Sequence, residues 1–275
     1  MMPELPEVET VRRSLEPFIK GETISHVQVF LPRMIRTHDA DFFENALAHQ
    51  TIRALSRRGK HLIWDLDDWV MISHLRMEGK FLIAEENVPK MPHEHVRIQL
   101  TRGRHVIYHD VRTFGTFDLF AKPVDLKTLP PLKDLGLEPW DGGFSAEYLK
   151  DKLRARTGPI KSILLDQSII LGLGNIYADE VLFCAKIHPL TKTHKISLKR
   201  LKILADCVKT ILTRAVELGG TTIRTYENTL GIDGLFQNEL YVHTLENEPC
   251  RICQTPIRRI KIGGRSTYYC KSCQH

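Results

Sequence analysis

Four of the six cysteines fall in the last 26 residues, as Cys250-x2-Cys253, a gap of sixteen residues, and Cys270-x2-Cys273. Two CxxC knuckles at that separation bring four thiolates to one tetrahedral Zn2+. Disulfides or free thiols are the alternatives. Disulfides suit exported chains, whereas the start MMPELPEVET carries Glu4, Glu7 and Glu9 where a signal peptide would carry Lys or Arg and then an apolar run. A cytoplasmic location is therefore expected. About thirty residues cannot fold on a core of their own, so the metal supplies that energy. Four thiolates fill its coordination sphere, which makes the zinc structural and not catalytic. Between the knuckles, Arg258, Arg259, Lys261 and Arg265 surround Gly263-Gly264, the pattern of a β-hairpin with a basic tip. Residues 247–275 hold six Lys and Arg against the single acid Glu248, a balance suited to phosphates.

The remaining cysteines, Cys184 and Cys207, sit alone in helix-like stretches and read as small buried apolar residues. The chain of 275 residues has room for two domains and an appendage. No apolar run approaches the eighteen or so residues of a membrane span. Residues 6–19 repeat Val8, Val11, Leu15 and Ile19 at helical spacing behind Pro6, a favoured first-turn residue. From 23 to 122 short β-rich runs alternate with turns, which predicts a β-sandwich or barrel with the first helix against it. Residues 123–143, rich in Pro, Lys, Leu and Gly, read as a linker. Helical patterns follow at 145–156, 159–170, 175–185 and 197–218. The fold class expected is α+β: an N-terminal β-sandwich over 1–132, a helical domain over 133–246 and the zinc hairpin over 247–275.

Residues 171–180, LGLGNIYADE, join two helices through a very short connection. Gly172 and Gly174 permit tight turns, and Asn175 suits the N-cap of the second helix. Such a terminus offers amide N–H groups to a phosphate, and it equally fits a plain helix–turn–helix joint.

Four separated segments resemble the formamidopyrimidine-DNA glycosylases. They are residues 3–10 (PELPEVET), 110–116 (DVRTFGT), the Gly-flanked joint at 172–180, and the four-cysteine hairpin. They occur in the family's order and span nearly the whole chain. The resemblance implies a monomer that binds double-stranded DNA, removes oxidised purines and cuts the strand, with one structural Zn2+ as its only bound cofactor. It implies a chain that begins at Pro3, whose secondary amine is the nucleophile. An α-amine has a pKa near 8 against about 10.4 for lysine, so roughly a tenth of it is neutral at pH 7. This sequence starts Met1-Met2-Pro3 where the family starts Met-Pro, so translation from Met2 or other processing is expected.

Residue by residue, the resemblance makes Glu4 the acid–base partner, Glu7 a supporting carboxylate and Lys60 a catalytic-site lysine that contacts DNA phosphate near the lesion. His74, Arg76 and Met77 match a loop that enters the duplex, with Met77 filling the space left by the everted nucleotide. Arg112 would read the orphaned cytosine and Phe114 would wedge beside the lesion. Asn175 and Arg265 resemble phosphate clamps. The stretch from Gly219 to Tyr241 resembles the loop that closes over the base, with Thr221, Thr222, Arg224, Tyr226 and Tyr241 as candidates for contact. Two other readings stay open: an endonuclease VIII-like enzyme for oxidised pyrimidines, and a DNA-binding relative without catalysis.

Overall fold

The computed structural model describes residues 2–85, 87–221 and 234–275. The chain divides into two compact units. The first comprises Met1–Lys133 with Gly219–Gly234, and the second Asp134–Leu218 with Leu235–His275. No helix among the described residues is long and apolar enough to cross a membrane.

In the first unit α1 (Leu5–Ile19) packs on a two-sheet sandwich. Its buried face carries Val8, Val11, Leu15 and Ile19, the stripe set by the 3.6-residue period. One sheet has the order β1-β6-β7-β5, the other β2-β3-β4-β8. The strands are β1 (Ile24–Val29), β2 (Ala54–Arg58), β3 (His61–Asp65), β4 (Trp69–His74), β5 (Lys80–Glu85), β6 (Glu94–Leu100), β7 (Arg104–His109) and β8 (Thr116–Ala121). All pairings are antiparallel. Trp64, Phe81, Tyr108 and Phe117 pack in edge-to-face and tilted pairs between the sheets. Such pairs prefer tilted geometries because each ring has a negative face and a positive edge.

A helix absent from the sequence reading, α2 (Ala40–Leu47), begins on the Asp39 side chain, which accepts from the Phe42 amide at 2.7 Å. It buries only Phe43 and Leu47, too short an apolar repeat to stand out in the sequence. Just before β2, Thr51 makes only an isolated bridge to Thr23.

The second unit contains α3 (Ala146–Leu153), α4 (Ile160–Leu164), α5 (Asn175–Cys184) and α6 (Leu198–Glu217), then the hairpin β9 (Arg258–Ile262) and β10 (Arg265–Tyr269). The helix expected over 159–170 stops at Leu164. Beyond it the Asp166 carboxylate accepts from the Ser168 amide and hydroxyl, and this local turn competes with further helix. At the next joint the N-cap of α5 is Gly174, and Asn175 is the first helical residue. A second correction concerns Cys184 and Cys207. Cys207 of α6 is buried as expected, but Cys184 is exposed at the end of α5 and is disulfide-bonded to it, so the pair cross-links two helices.

Candidate functional site

The start of α1 is fixed by carboxylates. Glu4 is its N-cap, and the Glu4 amide donates to Glu7 Oε2 at 2.9 Å within a reciprocal capping box. The other oxygen of Glu7 accepts from the Thr221 amide at 2.8 Å and the Thr221 hydroxyl at 3.1 Å. Gly220 makes this approach possible. Its φ is +78°, and a Cβ there would lie 2.6 Å from Glu7 Oε1. Pro3, Glu4 and Glu7 are all buried. Glu7 thus ties the candidate nucleophile's helix to the first residues of the expected base-closing loop. Thr222, Arg224 and Tyr226 lie outside the described residues. Tyr241 belongs to the second unit, with its ring stacked 5.3 Å from Phe183 and the Arg251 guanidinium over the ring at 5.5 Å.

Lys60 sits in the two-residue turn between β2 and β3, closed by the pairing of Arg58 with His61. Gly59 takes the left-handed φ of 58° that the first position of such a turn demands. Two residues that sequence reasoning missed hold this turn against α1. Arg57 donates to Glu9 Oε2 at 3.2 Å and to the Gly59 carbonyl at 3.0 Å. Burial raises the Glu9 carboxyl, but Arg12, Arg13 and Arg57 outweigh that and bring it down to about 2.

His74 pairs across the strands with His61, ring centroids 4.5 Å apart and edge on. The Arg76 amide donates to His74 Nδ1 at 2.9 Å, so the neutral ring carries its proton on Nε2. Burial lowers both imidazoles, His61 to about 4, and the nearby cations Arg76, Arg36 and Lys60 lower them further. Ordinary cross-strand pairing creates this double-histidine packing, and no sequence motif announces it.

Two loops cross between the sheets side by side. Residues 75–79 join β4 to β5, and residues 110–115 join β7 to β8. β4 pairs with β8 and β5 with β7, so the loops are neighbours. The first presents Arg76 at φ 58° and Met77. The second presents Arg112 and Phe114, which is 51% exposed for an apolar ring. The Arg112 guanidinium lies over the Phe114 ring at 5.0 Å. The buried carboxylate of Asp110 shapes this second loop by accepting from the amides of Arg112, Phe114 and Gly115.

In the second unit, Asn175 Nδ2 donates to the Ser266 carbonyl of β10 at 2.9 Å, joining α5 to the hairpin beside Arg265, which is exposed. Beneath it lies a buried chain of charge. Lys161 Nζ reaches Asp179 Oδ1 at 2.5 Å and the Asn175 carbonyl at 3.1 Å, and Asp179 Oδ2 meets His243 Nδ1 at 2.8 Å. A lone Lys in a helical pattern gave no signal of this. The four terminal cysteines place their sulfurs within 4.8 Å of one another. A tetrahedron of Zn–S bonds about 2.3 Å long has sulfurs nearly 4 Å apart, so the cluster fits zinc. The hairpin turns through Gly263 and Gly264, both at positive φ, as a two-residue turn of this twist requires.

Family models match the chain in three pieces. The formamidopyrimidine-DNA glycosylase N-terminal domain matches residues 2–117, the H2TH domain of the same enzymes residues 135–227, and a zinc finger found in FPG and IleRS residues 247–275. Together they span well over half of the sequence. The chain belongs to the formamidopyrimidine-DNA glycosylase family. Among its relatives, formamidopyrimidine-DNA glycosylase of Exiguobacterium sibiricum is 47% identical over 99% of this chain and 99% of its own. The Bacillus subtilis enzyme is 45% identical with the same coverage. Among solved structures, a variant of Lactococcus lactis FPG in complex with Fapy-dG-containing DNA superposes with a TM-score of 0.92 at 42% identity, covering 99% of each chain. The same Lactococcus lactis protein with abasic-site DNA gives 0.91 at 41% identity, again over 99% of each chain. The likeness runs end to end, and it makes the four-cysteine hairpin the family's zinc finger.

Proposed function

We propose that this glycosylase removes oxidised purines, 8-oxoguanine opposite cytosine and formamidopyrimidines, from double-stranded DNA and then cuts the strand at the abasic site. The reading rests on the end-to-end likeness to FPG bound to Fapy-dG DNA. One feature of this chain supports it most directly: two neighbouring crossover loops that present Met77 and a half-exposed Phe114. Everting a nucleotide costs a few kcal/mol, and apolar wedges that fill the gap offset that cost.

Pro3, freed of Met1 and Met2, supplies the amine. Its neutral nitrogen attacks C1′, the C1′–N bond breaks, and the base leaves with a proton. Glu4 assists by moving protons as the sugar ring opens. The resulting iminium acidifies the C2′ hydrogen. Its loss expels the 3′ oxygen, and a second elimination expels the 5′ oxygen. Glu7 acts through position, holding α1 and Thr221 together. Lys60, His74 with its Nε2–H, Asn175 and Arg265 contact phosphates, Arg76 supports the entering loop, and Arg112 reads the orphaned base. The zinc finger, held by Cys250, Cys253, Cys270 and Cys273, orders the hairpin that carries Arg265. The protein acts as a monomer in the cytoplasm, on nucleoid DNA. Three functional segments divide this work: the catalytic sandwich over 1–132, the helical clamp over 133–246 and the finger over 247–275.

Single-turnover excision on duplexes carrying 8-oxoguanine or an oxidised pyrimidine tests the substrate class. Faster release of 8-oxoguanine is expected. Faster release of the pyrimidine would favour the endonuclease VIII-like reading, and no release from either would leave a DNA-binding protein.

A further inference from the structure

The two crossover loops start and end on paired strand residues. His74 faces Thr116 at one end, and Lys80 faces His109 at the other. Each loop is also closed on itself. The Gly79 amide donates to the Leu75 carbonyl at 3.1 Å, and the Gly115 amide donates to Asp110 Oδ2 at 2.9 Å. One buried side chain reaches both closures. Tyr108, the penultimate residue of β7, is 1% exposed, its ring held 5.1 Å from Phe81 and 4.9 Å from Phe117. Its hydroxyl donates to the same Leu75 carbonyl, at 3.5 Å. Gly79 and Gly115, the last residues of the two loops, both lie against that hydroxyl, and a Cβ on either would overlap it. The two glycines therefore leave room for a single polar atom where the loops meet.

We propose that Tyr108 is a positioning residue whose hydroxyl locks the two wedge loops into one rigid unit, so that Met77 and Phe114 enter the duplex together. This rests on the glycosylase reading above. Two loops that must be ordered separately on DNA lose more conformational freedom than one prearranged unit. A hydroxyl buried among backbone groups at both loop ends supplies that order before DNA arrives, and it touches no reacting atom.

The test compares the parent protein with Tyr108→Phe, which keeps the ring and removes the oxygen. Two substrates are used: a duplex with 8-oxoguanine opposite cytosine, and a duplex with a preformed abasic site. The abasic nucleotide has no base to unstack, so it needs the wedges least. Loss of one hydrogen bond and of loop order should slow single-turnover excision of 8-oxoguanine roughly tenfold at saturating protein, with the half-saturating protein concentration unchanged. Borohydride trapping on abasic DNA should stay within about twofold, and the melting temperature should hold within a few degrees, as for loss of one modest hydrogen bond. Fluorescence of 2-aminopurine beside the lesion should report slower wedge entry. Gly115→Ala, which drives a methyl group into the hydroxyl, should reproduce the selective loss. Unchanged excision by Tyr108→Phe would overturn the proposal. So would an equal fall on both substrates, which would place the hydroxyl in the chemistry or the fold. If the parent protein releases no 8-oxoguanine, the glycosylase reading falls and this inference with it.

Discussion

Glu9 and His61 show how single side chains set the acid behaviour of the N-terminal unit. His61 is lowered to about 4 from an ordinary value near 6.5. As pH falls through 6.5 the unfolded chain takes up that proton first, so stability is lost between about pH 6.5 and 4. Glu9 has the opposite chemistry and the same direction. Its folded value of about 2 lies below the ordinary 4.5, so the stability it contributes is present above 4.5 and is lost as pH falls toward 2. Thermal melts across pH should therefore decline in two steps. His61→Phe should shrink the upper step, which His74 shares, and Glu9→Gln the lower; a decline untouched by either change would contradict the assignment. Arg57→Ala leaves Glu9 with Arg12 and Arg13 and unties the Lys60 turn from α1. It should cost about 2 kcal/mol by denaturant titration, the range for losing a hydrogen bond to a charged group. A loss under half a kcal/mol would show that Arg12 and Arg13 alone satisfy Glu9.

At the scale of elements, the zinc hairpin and the α5–α6 cross-link make separate predictions. Native mass spectrometry should find one zinc per chain, and a strong chelator should abolish DNA binding by unfolding the hairpin, because structural zinc supplies most of its folding energy. Binding that survives full metal removal would show the hairpin folding without it. The Cys184–Cys207 bond closes a sequence separation of 23 residues. Non-reducing peptide mapping should recover the two joined, and Cys207→Ser should lower stability by about 3 kcal/mol. Two free thiols at these positions would refute the cross-link. The elements legible in the sequence were those with strong periodicity or turn chemistry. These are the stripe of α1, the Gly263-Gly264 hairpin and the spacing of the four cysteines. The shortened α4 was not legible, because Asp166 decides it through a side-chain turn that competes with an apolar helical pattern. Nor was the disulfide, because neither cysteine's spacing shows that α5 and α6 lie side by side.

For the whole molecule, sequence motifs named the candidate residues and topology explains their company. Met77 and Phe114 lie 37 positions apart, yet antiparallel pairing of β4 with β8 and β5 with β7 sets their loops together. Glu7 and Thr221 meet across more than two hundred residues. Tyr108, Asp110, Arg57 and Lys161 escaped notice because each acts by holding something else, and such roles depend on packing that no local pattern encodes. The proposed chemistry turns on attack of the Pro3 amine on the damaged nucleotide. Borohydride reduction on a duplex with 8-oxoguanine opposite cytosine, followed by peptide mapping, decides it. A covalent adduct on Pro3, absent from Pro3→Gly, is the predicted result. Protein whose mass shows a free Pro3 terminus, yet which yields no adduct or one at another residue, would contradict it.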